Sequence, residues 1–166
     1  MKKIAQGGLL VAVALVLSLI EKMFPLQAVV PIPGIKLGLA NVVTLFALTV
    51  LGTRQAVVIV LCRVTLAAIF MGSITGFLFS LSGGLLALFA MRVLLVREGA
   101  WFSLVGVSIG GAAAHNIGQI CAAMLTLGTV DVAGYLPLLL LSAIPMGFVT
   151  GLTASAVLGH LKKIQF

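Results

Sequence analysis

Six apolar runs follow one another along this chain, at about 4–21, 37–53, 55–72, 76–96, 101–127 and 136–160. This succession constrains the fold more than any motif does. A bilayer core takes roughly 20 apolar residues per helix, and a helix satisfies its own backbone hydrogen bonds where lipid offers none. The composition closes the soluble alternative. The chain is 62% hydrophobic and 8% charged, whereas about a quarter of a soluble domain's residues carry charge. The sequence therefore predicts an all-α integral membrane protein, a compact bundle of about six transmembrane helices forming one domain over residues 1–166. The first run follows Lys2 and Lys3 as a secretory signal would, but it ends Ser-Leu-Ile-Glu-Lys-Met-Phe without a small-residue cleavage site. It is read as the first membrane helix.

The net charge is +7. In a soluble protein that excess would point to nucleic acid; here the cations sit mostly at the ends of apolar runs and act as topology signals. With a cytoplasmic N terminus, the inner side holds Lys2, Lys3, Arg54, Arg92, Arg97, Lys162 and Lys163, and the outer side Lys22 and Lys36. This asymmetry places both termini on the cytoplasmic side of the membrane. The connections between runs 2 and 3 and between 3 and 4 are very short. The substantial one is residues 22–36, KMFPLQAVVPIPGIK, with Pro25, Pro31, Pro33 and Gly34 as helix breakers. It is too apolar for a wet loop and is expected to fold back over the outer mouth of the bundle. Cys62 and Cys121 lie in the middle of different runs and are expected to be buried packing residues rather than a disulfide or metal site.

Small residues recur every fourth position in two runs: Gly106, Gly110, Ala114, Gly118 and Ala122 in the fifth, Ala143, Gly147, Gly151, Ser155 and Gly159 in the sixth. Residues four apart share a helix face, and small ones let two backbones approach. The stripes suit internal packing and a homo-oligomer equally. The first run has shorter versions, Gly8/Ala12 and Ala14/Ser18.

The polar residues at membrane depth are fewer and more telling. Arg63 lies halfway along the third run and His115 near the centre of the fifth. A charged side chain there is costly unless paired or hydrated, so it usually faces a cavity or the bundle interior. His115 and Gln119 share a face, while Asn116 points about 100° around the helix and suits a bond to a neighbouring helix. Lys36 and Asn41 enter the second run from the outer side, where Glu21 closes the first. Together they outline a polar path to the midplane with excess positive charge, suited to a carboxylate or phosphate; the guanidinium fork fits either. The alternative for Arg63 is a packing role, paired with Glu21 or with carbonyls. For His115, Asn116 and Gln119 it is interhelical hydrogen bonding, and for Lys36 a snorkelling anchor.

Glu21, Glu98 and Asp131 are the only acidic residues. No paired-carboxylate motif, phosphate-binding glycine loop, catalytic triad or zinc pattern is present, so neither enzyme chemistry nor a cofactor is expected.

The blocks Pro33-Gly34-Ile35-Lys36-Leu37-Gly38-Leu39-Ala40-Asn41 and His115-Asn116-x-Gly118-Gln119, with Arg63 between them, resemble a bacterial membrane family. It is the Gx transporter family, also labelled heptaprenyl diphosphate synthase component I. That family is in turn similar to the substrate-binding (S) components of energy-coupling-factor transporters. The resemblance implies a six-helix bundle with a ligand pocket near the outer face, gated by the loop after helix 1. It also implies a small-residue surface on helix 1, Gly8/Ala12 or Ala14/Ser18, docked on a transmembrane coupling subunit served by ATPases. The ligand would be a small anionic or amphipathic molecule, with Arg63, Lys36, Asn41, His115, Asn116 and Gln119 as its contacts. The older label implies instead a non-catalytic membrane partner of a prenyl diphosphate synthase or of an electron-transfer assembly.

Overall fold

A computed structural model describes residues 2–23, 30, 32, 35–96 and 102–164. Six α-helices account for most of them: α1 Lys2–Lys22, α2 Asn41–Val50, α3 Thr53–Met71, α4 Ile74–Leu95, α5 Leu104–Leu127 and α6 Leu136–Ile164, with a short 3-10 turn Asp131–Tyr135 before α6. No extended strand occurs among the described residues. Four stretches, within α1, α3 and α4 and across the 3-10 turn and α6, are long and apolar enough to cross a membrane. The chain is accordingly read as a multi-pass membrane protein.

The helix ends follow from local chemistry. Gly72 takes the left-handed conformation (φ 63°) that closes α3, its N–H bonded to the Ala68 carbonyl. The Ser73 hydroxyl then accepts from the Gly76 N–H to open α4. Two residues thus reverse the chain. Ser103 caps α5 the same way through the Gly106 N–H.

α5 is the central helix, packed extensively between α4 and α6. The stripes explain how. A Cβ on Gly118 would lie 2.8 Å from the Gly83 Cα of α4, and one on Gly147 only 2.4 Å from the Ile109 Cα of α5. A Cβ on Gly151 would sit 2.8 Å from the Val105 Cα. Gly118 of one stripe and Gly147 and Gly151 of the other therefore serve backbone contact inside the bundle. Hydroxyls add bonds across the same seams: Ser82 donates to the Gly118 carbonyl at 2.8 Å, and Ser108 and Thr150 pair at 2.9 Å. On α1, Ala14 and Ser18 are buried while Gly8 and Ala12 face outward.

A substitution pair checks this packing. Gly147→Leu forces α5 and α6 apart and should cost about 3 kcal/mol, read as a lower thermal midpoint in mild detergent. Gly159→Leu, on the same stripe, meets nothing within 4 Å and should leave the midpoint unchanged.

Two expectations need correction. Cys62 and Cys121 are free and exposed on the outside of the bundle, not buried; each lies on the lipid side of its helix. The second run, expected as a helix over 37–53, is helical only from Asn41 to Val50. Ten residues rise about 15 Å, half of a bilayer's hydrocarbon core. The non-helical segment 35–40 precedes this helix.

Pro25, Pro31, Pro33 and Gly34 lie outside the described residues. Val30, Ile32 and Ile35 of the same connection are buried against Phe79, Ile120, Ala123, Val132 and Leu139. These parts of it do fold back onto α4, α5 and α6.

Candidate functional site

Segment 35–40 is held from two sides, and each hold uses a polar residue from a membrane helix. The Gln119 amide clamps the Lys36 backbone: its Oε1 accepts the Lys36 N–H at 2.7 Å and its Nε2 donates to the Lys36 carbonyl at 2.8 Å. The Glu21 carboxylate, at the end of α1, accepts the N–H groups of Gly38 and Leu39. Non-helical backbone survives at membrane depth only where protein satisfies its polar groups, and these two side chains do so. Gly38 is needed at the bend. Its φ is +88°, and a Cβ there would lie 2.8 Å from the Asn41 amide nitrogen and 3.1 Å from the His115 ring.

Below this segment lies a buried polar cluster. Arg63 of α3 is 4% exposed, and its Nη2 makes a long 3.4 Å bond to Asn41 Oδ1, at the start of α2. Arg63 stands at the middle of its helix, so α2 starts at the middle of the bundle. His115 of α5 is also buried, with Nδ1 facing the Gly83 backbone of α4. Gly84 lets the Arg63 guanidinium approach α4; a Cβ there would be 3.2 Å from Nη2. Glu21 and Lys36 both lie within electrostatic range of the cluster, yet Glu21 and Arg63 are not in direct ionic contact. Arg63 therefore does not neutralise itself on the carboxylate, which is committed to backbone.

The hydrogen-bond pattern sorts five of the six candidate residues into two groups; Lys36 is held through its backbone. Asn116 donates to the Leu139 carbonyl of α6 at 2.6 Å, and Gln119 holds Lys36. These two are satisfied structural bonds. The other group is not satisfied. Asn41 Nδ2 and Arg63 Nε are buried without a hydrogen-bond partner, as are Thr44 Oγ1 and Ser80 Oγ, while the buried His115 ring approaches the Gly83 backbone. Thr44 is one turn from Asn41, and Ser80 one turn from Gly83 and Gly84. An unsatisfied buried polar group costs about 1–3 kcal/mol, and interhelical glue makes its bonds. The cluster is thus short of acceptors, around one fixed cation at the N-terminal end of a half-length helix.

The sequence singles out Arg63 and His115 by their depth and Asn41 by its place at the entry of the second run. That reading misses Thr44, Ser80 and the Gly83-Gly84 pair. The pair's adjacent small residues in a Leu- and Phe-rich run were the available signal.

Gln119→Leu should release segment 35–40. Losing two bonds of about 1 kcal/mol each predicts faster hydrogen exchange at the Lys36 amide, by tenfold or more, with the amides of α5 little changed.

Residues 10–157 match the family of heptaprenyl diphosphate synthase component I. The chain belongs to that family. The match covers four helices, α2 to α5, in full and α1 and α6 apart from the N-terminal end of α1 and the C-terminal end of α6, and it includes the polar residues described above. No curated protein and no solved structure matches the chain. The family and the apolar helical fold together make this a membrane-associated component.

Proposed function

We propose that the chain is a membrane-embedded substrate-binding subunit for transport, and that its ligand is a small anionic or amphipathic molecule held at Arg63, His115 and Asn41. The observation that carries this reading is the set of buried polar atoms left without partners around Arg63. Asn41 Nδ2 and Arg63 Nε can only donate, and a neutral His115 ring donates from one of its two nitrogens, so a ligand that brings acceptors, a carboxylate or phosphate, answers these donors. A half-length helix whose N terminus ends at the bundle centre adds positive potential there. Lys36 enlarges the cationic field from above, and Gln119 and Asn116 hold the site in shape.

The subunit has no energy source of its own. A coupling subunit with ATPases, or an ion gradient, would supply it. The outward Gly8 and Ala12 on α1 are the small-residue surface available to a coupling helix, because Ala14 and Ser18 already face inward. The chain is not itself an enzyme in this reading. Glu21 is engaged by backbone, and Asp131 is exposed and bonded to Thr129. The family's printed name points to a partner role beside a prenyl diphosphate synthase. The stripes on α5 and α6 that such a role would use as a contact surface are largely spent inside the bundle. The membrane is read as the bacterial cytoplasmic one, with both termini inside.

A thermal-shift screen of the purified protein against small carboxylates, phosphates and single-chain amphiphiles tests the reading. A compound that stabilises the wild type but not Arg63→Gln supports it. Stabilisation of both to the same extent counts against it.

A further inference from the structure

Helices α1 and α6 flank α2 without touching each other. Between them is a cavity of about 370 Å³. Val42, Val43 and Phe46 of α2 form its floor, Leu10 and Leu17 one wall, and Thr150, Thr153 and Val157 the other. The two hydroxyls on that wall need no partner. Thr150 donates to the Met146 carbonyl at 2.8 Å and Thr153 to the Val149 carbonyl at 2.8 Å. The occupant therefore needs no hydrogen-bonding groups along this length.

From Leu10 to Leu17, α1 advances about 10 Å, and a hydrocarbon chain, whose carbons stand about 4 Å from their neighbours, lies along this apolar slot without leaving a polar group unpaired.

The slot also leads somewhere. Glu21 lies one turn beyond Leu17 on the same face of α1, and Asn41 directly precedes Val42. Asn41 and Thr44 turn polar atoms inward while Val42, Val43 and Phe46 face the slot. The apolar slot and the acceptor-poor cluster thus lie on two faces of α2, and Val42 of the slot is next in sequence to Asn41 of the cluster. The opposite side of the bundle is shut by the backbone contacts of Gly118 with Gly83 and Gly147 with Ile109.

We infer that the slot holds the hydrocarbon chain of a single-chain amphiphile whose polar head sits at the Arg63 cluster, and that this ligand enters sideways from the bilayer between α1 and α6. The inference rests on the reading of Arg63 as the anion contact. The cluster supplies the attraction for an anionic head, and the slot supplies burial for its chain.

The test is photolabelling of the full chain in lipid nanodiscs with two probes. One is palmitate bearing a diazirine in its chain; the other is a phosphatidylcholine carrying the same chain. Labelled residues are read by peptide mass spectrometry. Palmitate should label residues 10–17 and 150–157, excess unlabelled palmitate should remove the label, and phosphatidylcholine should label these segments no more than the rest of the lipid-facing surface. Val157→Trp fills the slot from a half-exposed position and should abolish the labelling. Val16→Trp, on the outward face of α1, should not. Labelling by phosphatidylcholine as strong as by palmitate, or labelling that survives Val157→Trp, overturns the inference. Competed palmitate labelling that persists undiminished in Arg63→Gln keeps the chain in the slot and refutes Arg63 as the head contact, so the two failures are told apart.

Discussion

Arg63→Gln is expected to weaken binding of the anionic ligand by about a hundredfold while leaving the bundle folded. The magnitude follows from burial. A charged partner lost from a desolvated pair costs about 2–5 kcal/mol, and each 1.4 kcal/mol is tenfold in affinity. Gln is the informative replacement because its amide can still donate toward Asn41 Oδ1, the bond Arg63 makes now at 3.4 Å. Arg63→Lys should fall between, since an ammonium keeps the charge but loses the planar fork. Titration of a compound found by the thermal-shift screen reads the affinity. Equal affinity in wild type and Arg63→Gln would remove Arg63 from the site.

The second large effect concerns Glu21. Glu21→Ala leaves the Gly38 and Leu39 N–H groups without their acceptor and deprives Arg63 of the one carboxylate acting on it. Breaking such a buried arrangement from one side costs about 3–5 kcal/mol. In the Glu21→Ala, Arg63→Ala pair, the double variant should lose less stability than the two single losses combined, by at least about 1 kcal/mol. Unfolding by rising fractions of a denaturing detergent measures it. Strict additivity would show that the two charges do not sense each other, and the electrostatic account of the cluster would fail.

The helices were legible because apolar length is a direct demand of the bilayer. The exception is instructive. Run 37–53 reads as a span in composition, yet only Asn41–Val50 is helical, because Glu21 and Gln119 capture the backbone of segment 35–40. Those partners are 17 and 83 residues away, beyond the reach of any local pattern. Likewise, the depth of Arg63, His115, Asn116 and Gln119 marked them as polar groups in an apolar setting, but depth could not separate site from glue. Their partners differ: Asn116 and Gln119 are bonded, whereas Arg63 Nε is buried without a partner, and the proposed site rests on that difference. Cys62 and Cys121 show the same limit, since a central position in an apolar run says nothing about which side faces lipid.

The account's central claim is that the buried cluster at Arg63 is a ligand site. Native mass spectrometry of the protein released from mild detergent, with extraction of whatever it carries, tests this most directly when run beside the folded Arg63→Gln variant. The account predicts a defined acceptor-rich molecule, carboxylate or phosphate in its head, on the wild type and missing from the variant. The same bound species on both, or ordinary membrane lipid alone on both, would contradict it.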